Sequence, residues 1–186
     1  MKFTEYLNEQ NINQHDGILI IVDFQKEFSQ FIPVGMYEKL SEYCKNFNTV
    51  YQIWDSNKAS SPSYTFPNQS GAYVKKYGTT FSDELKKITK NLEQKYPNAK
   101  EGDKFIFKDT KSVIIRVKNN HKWFYINEEL SDLFRTLYGK KVIVTGGADN
   151  ECLTDLYEGL ESFGVKPIYN HEYIYSAETS NQQKVS

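Results

Sequence analysis

Cysteine is scarce in this chain: two residues in 186, Cys44 and Cys152. That excludes a disulfide framework and a paired-cysteine zinc site, and a reducing intracellular compartment is the default. Histidine is nearly as scarce, at His15, His121 and His171. Neither sign of charge dominates. The chain has 23 basic and 24 acidic residues, a formal net charge of −1. With no basic stripe, nucleic acid is not an expected partner. The lysine pairs Lys75-Lys76 and Lys86-Lys87 sit among carboxylates or on a helical face and read as solvated. No apolar run is long enough to span a bilayer, and the first ten residues hold no apolar signal region. A cytoplasmic protein without a membrane partner is expected.

Aromatic residues are plentiful. They make up 15% of the chain, enough for a dense core and an apolar pocket. The length suits one domain over 1–186, with 1–15 as an N-terminal extension and 180–186 as a frayed polar tail. Gly17-Ile-Leu-Ile-Ile-Val-Asp23 is a continuous apolar run ending in a carboxylate, the pattern of a strand buried on both faces. Met36, Leu40, Tyr43, Cys44 and Phe47 form one helix face, which makes Cys44 a core residue. Thr49-Val-Tyr-Gln-Ile-Trp54 is a second strand, ending before Asp55. The stretch 56–80 reads as a long loop, and such loops are usually functional or mobile.

Phe81, Leu85, Ile88 and Leu92 mark a second helix. Short apolar runs follow at 104–108 and 113–117. Leu130, Leu133, Phe134 and Leu137 mark a third helix, with Asn127 as N-cap and Gly139 as stop. A strand at 142–144 leads into Gly146-Gly147, then into a fourth helix lined by Leu153, Leu156, Tyr157, Leu160 and Phe163 and ended by Gly164. A last short strand covers 166–169. Strands alternating with helices predict an α/β fold, a three-layer α/β/α arrangement with a mostly parallel, doubly wound sheet. Ligands of such sheets bind outside the carboxyl ends of the strands. Asp23, Asp55, Lys108 and Cys152 all fall at or just past such ends.

Cys152 sits in the first turn of the fourth helix. Unpaired N–H groups and the positive end of the helix dipole favour a thiolate there, and the same N–H groups suit an oxyanion. Asp23, buried at a strand end, would have a raised pKa suited to moving the thiol proton. Lys108 would hold the charge of the pair. The bland alternatives are a packed cysteine, a capping aspartate and a solvated lysine.

Three stretches carry a resemblance. Ile20-Ile-Val-Asp-Phe-Gln-Lys-Glu-Phe28, Gly102-Asp-Lys-Phe-Ile-Phe-Lys108 with Ser112, and Val144-Thr-Gly-Gly-Ala-Asp-Asn-Glu-Cys-Leu153 occur in the order of matching motifs in the isochorismatase-like cysteine hydrolases. The chain resembles that superfamily, which includes nicotinamidases and N-carbamoyl amide hydrolases, over roughly 17–179. The resemblance implies an Asp23–Lys108–Cys152 triad, a cis peptide bond just before Ala148, and an oxyanion hole made by the N–H groups of Ala148 and Cys152. It implies hydrolysis of a small amide or N-carbamoyl C–N bond. Lys118, after the run 113–117, is the rival for the lysine.

The chain departs from the pattern in places. Where metal-binding nicotinamidases of the family have Asp-x-His, this chain has Asp55-Ser56-Asn57, and asparagine is a poor transition-metal ligand beside imidazole. No cofactor and no divalent metal are therefore expected. Asp55 and Asn57 are expected to bind substrate instead, beside an apolar slot drawn from Phe24, Phe28 and Trp54. Relatives usually continue with another helix beyond the point where this chain stops. The expectation is a homo-oligomer in which a partner covers the sheet, and a monomeric mass by light scattering would count against it. Two other functions compete: vinyl-ether hydrolysis, which needs a proton donor rather than a thiolate, and small-molecule binding without catalysis.

Overall fold

The computed structural model describes residues 17–56, 58, 64–66, 68–69, 75–78, 83–108, 111–116, 123–149 and 151–177. Five strands form the main sheet: β1 (Ile18–Val22), β2 (Thr49–Trp54), β3 (Lys75–Gly78), β7 (Val142–Gly146) and β8 (Ile168–Ile174). Their order is β3-β2-β1-β7-β8, and every neighbouring pair is parallel. β1 lies at the centre because it is apolar on both faces, as a strand must be when it is covered from both sides.

Side chains of β1 and β7 alternate between two cores. Leu19, Ile21 and Ile143 pack with Met36, Leu40 and Phe47, in and just after α1 (Met36–Cys44). Ile20, Val22, Val142 and Val144 pack with Leu130 and Phe134 of α3 (Glu128–Thr136) and Leu153, Leu156 and Leu160 of α4 (Cys152–Ser162). Each such buried side chain contributes roughly 1.5–3 kcal/mol relative to exposure. α3 starts as its sequence suggests. The Asn127 side chain accepts from the Leu130 N–H at 2.9 Å, and its amide donates to the Gly78 carbonyl at 2.8 Å. The cap therefore also ties this helix to the end of β3.

Two parts of the chain differ from expectation. Between α2 (Asp83–Lys95) and α3, strands and helices do not alternate. β4 (Lys104–Ile106), β5 (Val113–Arg116) and β6 (Trp123–Ile126) form a separate antiparallel sheet. The connections explain this, since a parallel crossover needs a dozen or more residues and these are shorter. The second difference is β3, which lies inside the stretch read as a loop. Its sequence, Lys-Lys-Tyr-Gly, is short and basic, which suits an outermost strand and hides it from a search for apolar runs. No described helix is long and apolar enough to cross a membrane.

Candidate active site

β1 and β7 lie in register, with Val22 opposite Gly146. Asp23 and Gly147 therefore leave the sheet side by side. The Gly147 N–H donates to the Val22 carbonyl at 3.1 Å, and the Asp23 N–H donates to Ile53 at the end of β2 at 2.9 Å. Asp23 then turns through a positive φ of 46°, a conformation that Asp tolerates better than most residues. Five residues beyond Gly147, α4 begins at Cys152. The side chains of Asp23 and Cys152 are hydrogen-bonded to each other.

The backbone around the thiol leaves two N–H groups without a backbone acceptor among the described residues. Ala148 offers its carbonyl to the N–H groups of both Glu151 and Leu153, each at 3.2 Å. The N–H groups of Ala148 and Cys152 donate to no backbone acceptor among the described residues. The Gly147–Ala148 peptide is cis, as the resemblance implies.

Asp23 is 6% exposed. Burial first, and the nearby Asp55 carboxylate second among the raising influences, lift its pKa to about 7, although the Cys152 hydrogen bond and the Asp55 backbone pull it down. The thiol does not follow expectation. Burial pushes the Cys152 pKa above its ordinary range, and Asp23, Asp155 and Glu151 push it further. A helix N-terminus is worth only about 0.3–1 kcal/mol at an exposed site, and here it is outweighed by lost hydration and three carboxylates. Above about pH 7 the pair is thus a thiol donating to a carboxylate.

Lys108 is not brought to this pair. It lies exposed in the turn after β4, in the small sheet, and no interaction among the described residues joins it to Asp23 or Cys152. The run before it pairs antiparallel with β5, so its end does not belong to the rim of the parallel sheet. Lys118 and Asn57 lie outside the described residues. Asp55 is beside the site, and its charge acts on Asp23. Trp54 ends β2 and is half-buried, as is Phe28 in the short turn Lys26–Phe28. Phe24 is fully buried, ringed edge-on by Tyr64, Phe66 and Tyr175, so it is core and not an open slot. Among the described residues, no three His, Cys, Asp or Glu side chains are placed to share a metal ion, and Asn57 remains a poor substitute for imidazole.

Two residues matter that received no role from the sequence. Gln25, fully buried, grips the Asp55 backbone at both ends: its Oε1 accepts from the Asp55 N–H at 2.7 Å, and its Nε2 donates to the Asp55 carbonyl at 3.2 Å. Its place in the Asp-x-Gln motif was the available signal. Tyr175, just past β8, donates from its hydroxyl to the Asp23 carbonyl at 2.7 Å. No pattern pointed to it, because the last strand was expected to end well before it. No protein-family model, no curated protein and no solved structure matches this chain.

Proposed function

We propose that this protein is a nicotinamidase-like cysteine hydrolase that cleaves a small amide or N-carbamoyl C–N bond through a thioester. The fold behind this reading is a three-layer α/β/α domain with a doubly wound sheet. It is supported by a strand order that runs outward from β1 in both directions and by the two cores that share β1. In such a sheet the crevice lies where the order reverses, here between β1 and β7. The observation that carries the function is the hydrogen-bonded Asp23–Cys152 pair at that crevice, next to the N–H groups of Ala148 and Cys152.

The chemistry follows from the pair. The Asp23 carboxylate takes the Sγ proton as sulfur attacks the carbonyl carbon, and a C–S bond forms. The N–H groups of Ala148 and Cys152 hold the oxyanion. The C–N bond breaks, and Asp23 passes the proton to the departing nitrogen. Water then attacks the thioester, giving a proton to Asp23. The C–S bond breaks, the acid leaves, and the proton returns to Sγ. Half-buried Phe28 and Trp54, with Asp55 and Asn57, form the proposed substrate wall.

The cation of the triad is proposed to be Lys118, the second of the two lysines that the sequence offers, because Lys108 lies exposed in the turn after β4. Lys118→Ala is expected to lower kcat/KM roughly 10²-fold and Lys108→Ala to change it little. The reverse order would restore Lys108 to the triad.

The direct test is ammonia release from nicotinamide and a panel of small amides and N-carbamoyl compounds. Cys152→Ala is expected to lose activity by a factor on the order of 10⁴ or more. A second reading has its own support. A carboxyl with a pKa of about 7 is also a proton donor near neutrality, which is what vinyl-ether hydrolysis requires. The two readings predict opposite pH limbs. If Asp23 is a base, the rate rises as pH increases through about 7; if it is an acid, the rate falls there. Full activity of Cys152→Ala with a falling limb would replace the amidase reading.

A further inference from the structure

We propose that Tyr175 is a positioning residue that joins the acid-bearing strand to the thiol-bearing loop and sets the Asp23 carboxyl against Cys152. The inference rests on the Asp23–Cys152 reading above. Three bonds from this one residue reach three parts of the site. Its hydroxyl donates to the Asp23 carbonyl at 2.7 Å, wholly buried. Its N–H donates to the Gly146 carbonyl at the end of β7 at 2.9 Å. Its carbonyl accepts from the Asp149 N–H, in the loop that precedes Cys152, at 3.0 Å.

The ring fills the space between these bonds. A Cβ at Gly147 would lie 2.6 Å from the ring carbons, so the loop can pass this close only as glycine. On another side the ring meets Phe24 edge-on, with centroids 6.2 Å apart. Tyr175 is 3% exposed, so water does not compete for its hydroxyl. Asp23 needs such support. Its positive φ is an uncommon conformation for a residue with a Cβ, and its carbonyl takes just two donors among the described residues, the Gln25 N–H and this phenol. Without the phenol, the turn that aims the carboxyl is held from one side less. Misplacement of a catalytic group by about 1 Å can cost 10²-fold in rate.

Tyr175→Phe separates positioning from packing, because it keeps the ring and both backbone bonds and removes only the hydroxyl. The measurement is the rate of Cys152 alkylation by iodoacetamide from pH 5 to 10 in the parent, Tyr175→Phe and Asp23→Asn. It needs no substrate, and Cys44, fully buried in the core where Cys152 is only partly so, is kept from the reagent. We expect Tyr175→Phe to melt within about 2–4 °C of the parent. We also expect its alkylation rate near neutral pH to move about tenfold toward that of Asp23→Asn, with the pH midpoint moving in the same direction. A Tyr175→Phe profile that overlays the parent, while Asp23→Asn departs from it, would overturn the positioning role and leave the pair intact. An Asp23→Asn profile that overlays the parent would overturn the Asp–Cys pair and this proposal with it.

Discussion

Asp23→Asn is expected to abolish turnover and yet to melt above the parent protein at pH 8. The group proposed to do the chemistry is costly to fold. Its carboxyl has a pKa of about 7 in the folded protein against 3.8 in its ordinary state, chiefly because burial strips its hydration. A folded pKa raised above the unfolded one means that the folded state binds more protons between about 4 and 7. The parent therefore loses stability as pH rises through that window, and the full cost is present above it. The span corresponds to on the order of 4 kcal/mol. An asparagine removes the charge but still buries a polar amide, so a gain of about 2 kcal/mol is expected, or roughly 4–8 °C in a chain of this size. The gain should vanish by pH 4, where the parent carboxyl keeps its proton when folded. Thermal melts at pH 4 and pH 8 test this. A variant that melts below the parent at pH 8 would show that the carboxylate is stabilised where it lies.

Gly146→Ala is expected to be among the most damaging single-methyl changes in the chain. A Cβ there would lie 2.1 Å from the Val22 carbonyl oxygen and 2.7 Å from the Val22 nitrogen. Both atoms are backbone at the centre of the sheet, so neither can swing aside as a side-chain tip would. The φ of +98° adds a conformation that alanine resists. β1 and β7 would have to separate where Val22 faces Gly146. A loss above about 4 kcal/mol is expected, the range that marks a specific structural fault. Denaturant unfolding measures it, and a change under about 1 kcal/mol would mean that the two strands do not approach this closely.

Much of this was legible beforehand because burial on both faces leaves a plain trace. β1, β2 and β7 are apolar runs, α1, α3 and α4 carry single apolar stripes, and Asn127 caps α3. The juxtaposition of Asp23 and Cys152 followed from two buried strands ending in chemistry. The rest was obscured for physical reasons. β3 is an outermost strand of four residues with two lysines, so its hydropathy resembles that of a loop. β4 and β5 look like parallel core strands until the length of their connections is weighed, and β6 gave no signal that was read. The thiol's environment depends on Asp155, one turn along its own helix, whose burial no local pattern reveals. Tyr175 meets Asp23 through a bond between residues 152 apart in sequence.

The register of β1 and β7 also has a consequence in time. Asp23 follows β1, the first of the described strands to be made, and Cys152 follows a strand made after every other described strand except β8. In the order of synthesis, β2 and β3 can line up on one edge of β1 early, while its other edge waits for residues 142–146. That late, long-range closure is what brings the Cys152 sulfur to the Asp23 carboxyl, so the pair is absent from a half-made chain. It forms only when the last central seam of the sheet has closed.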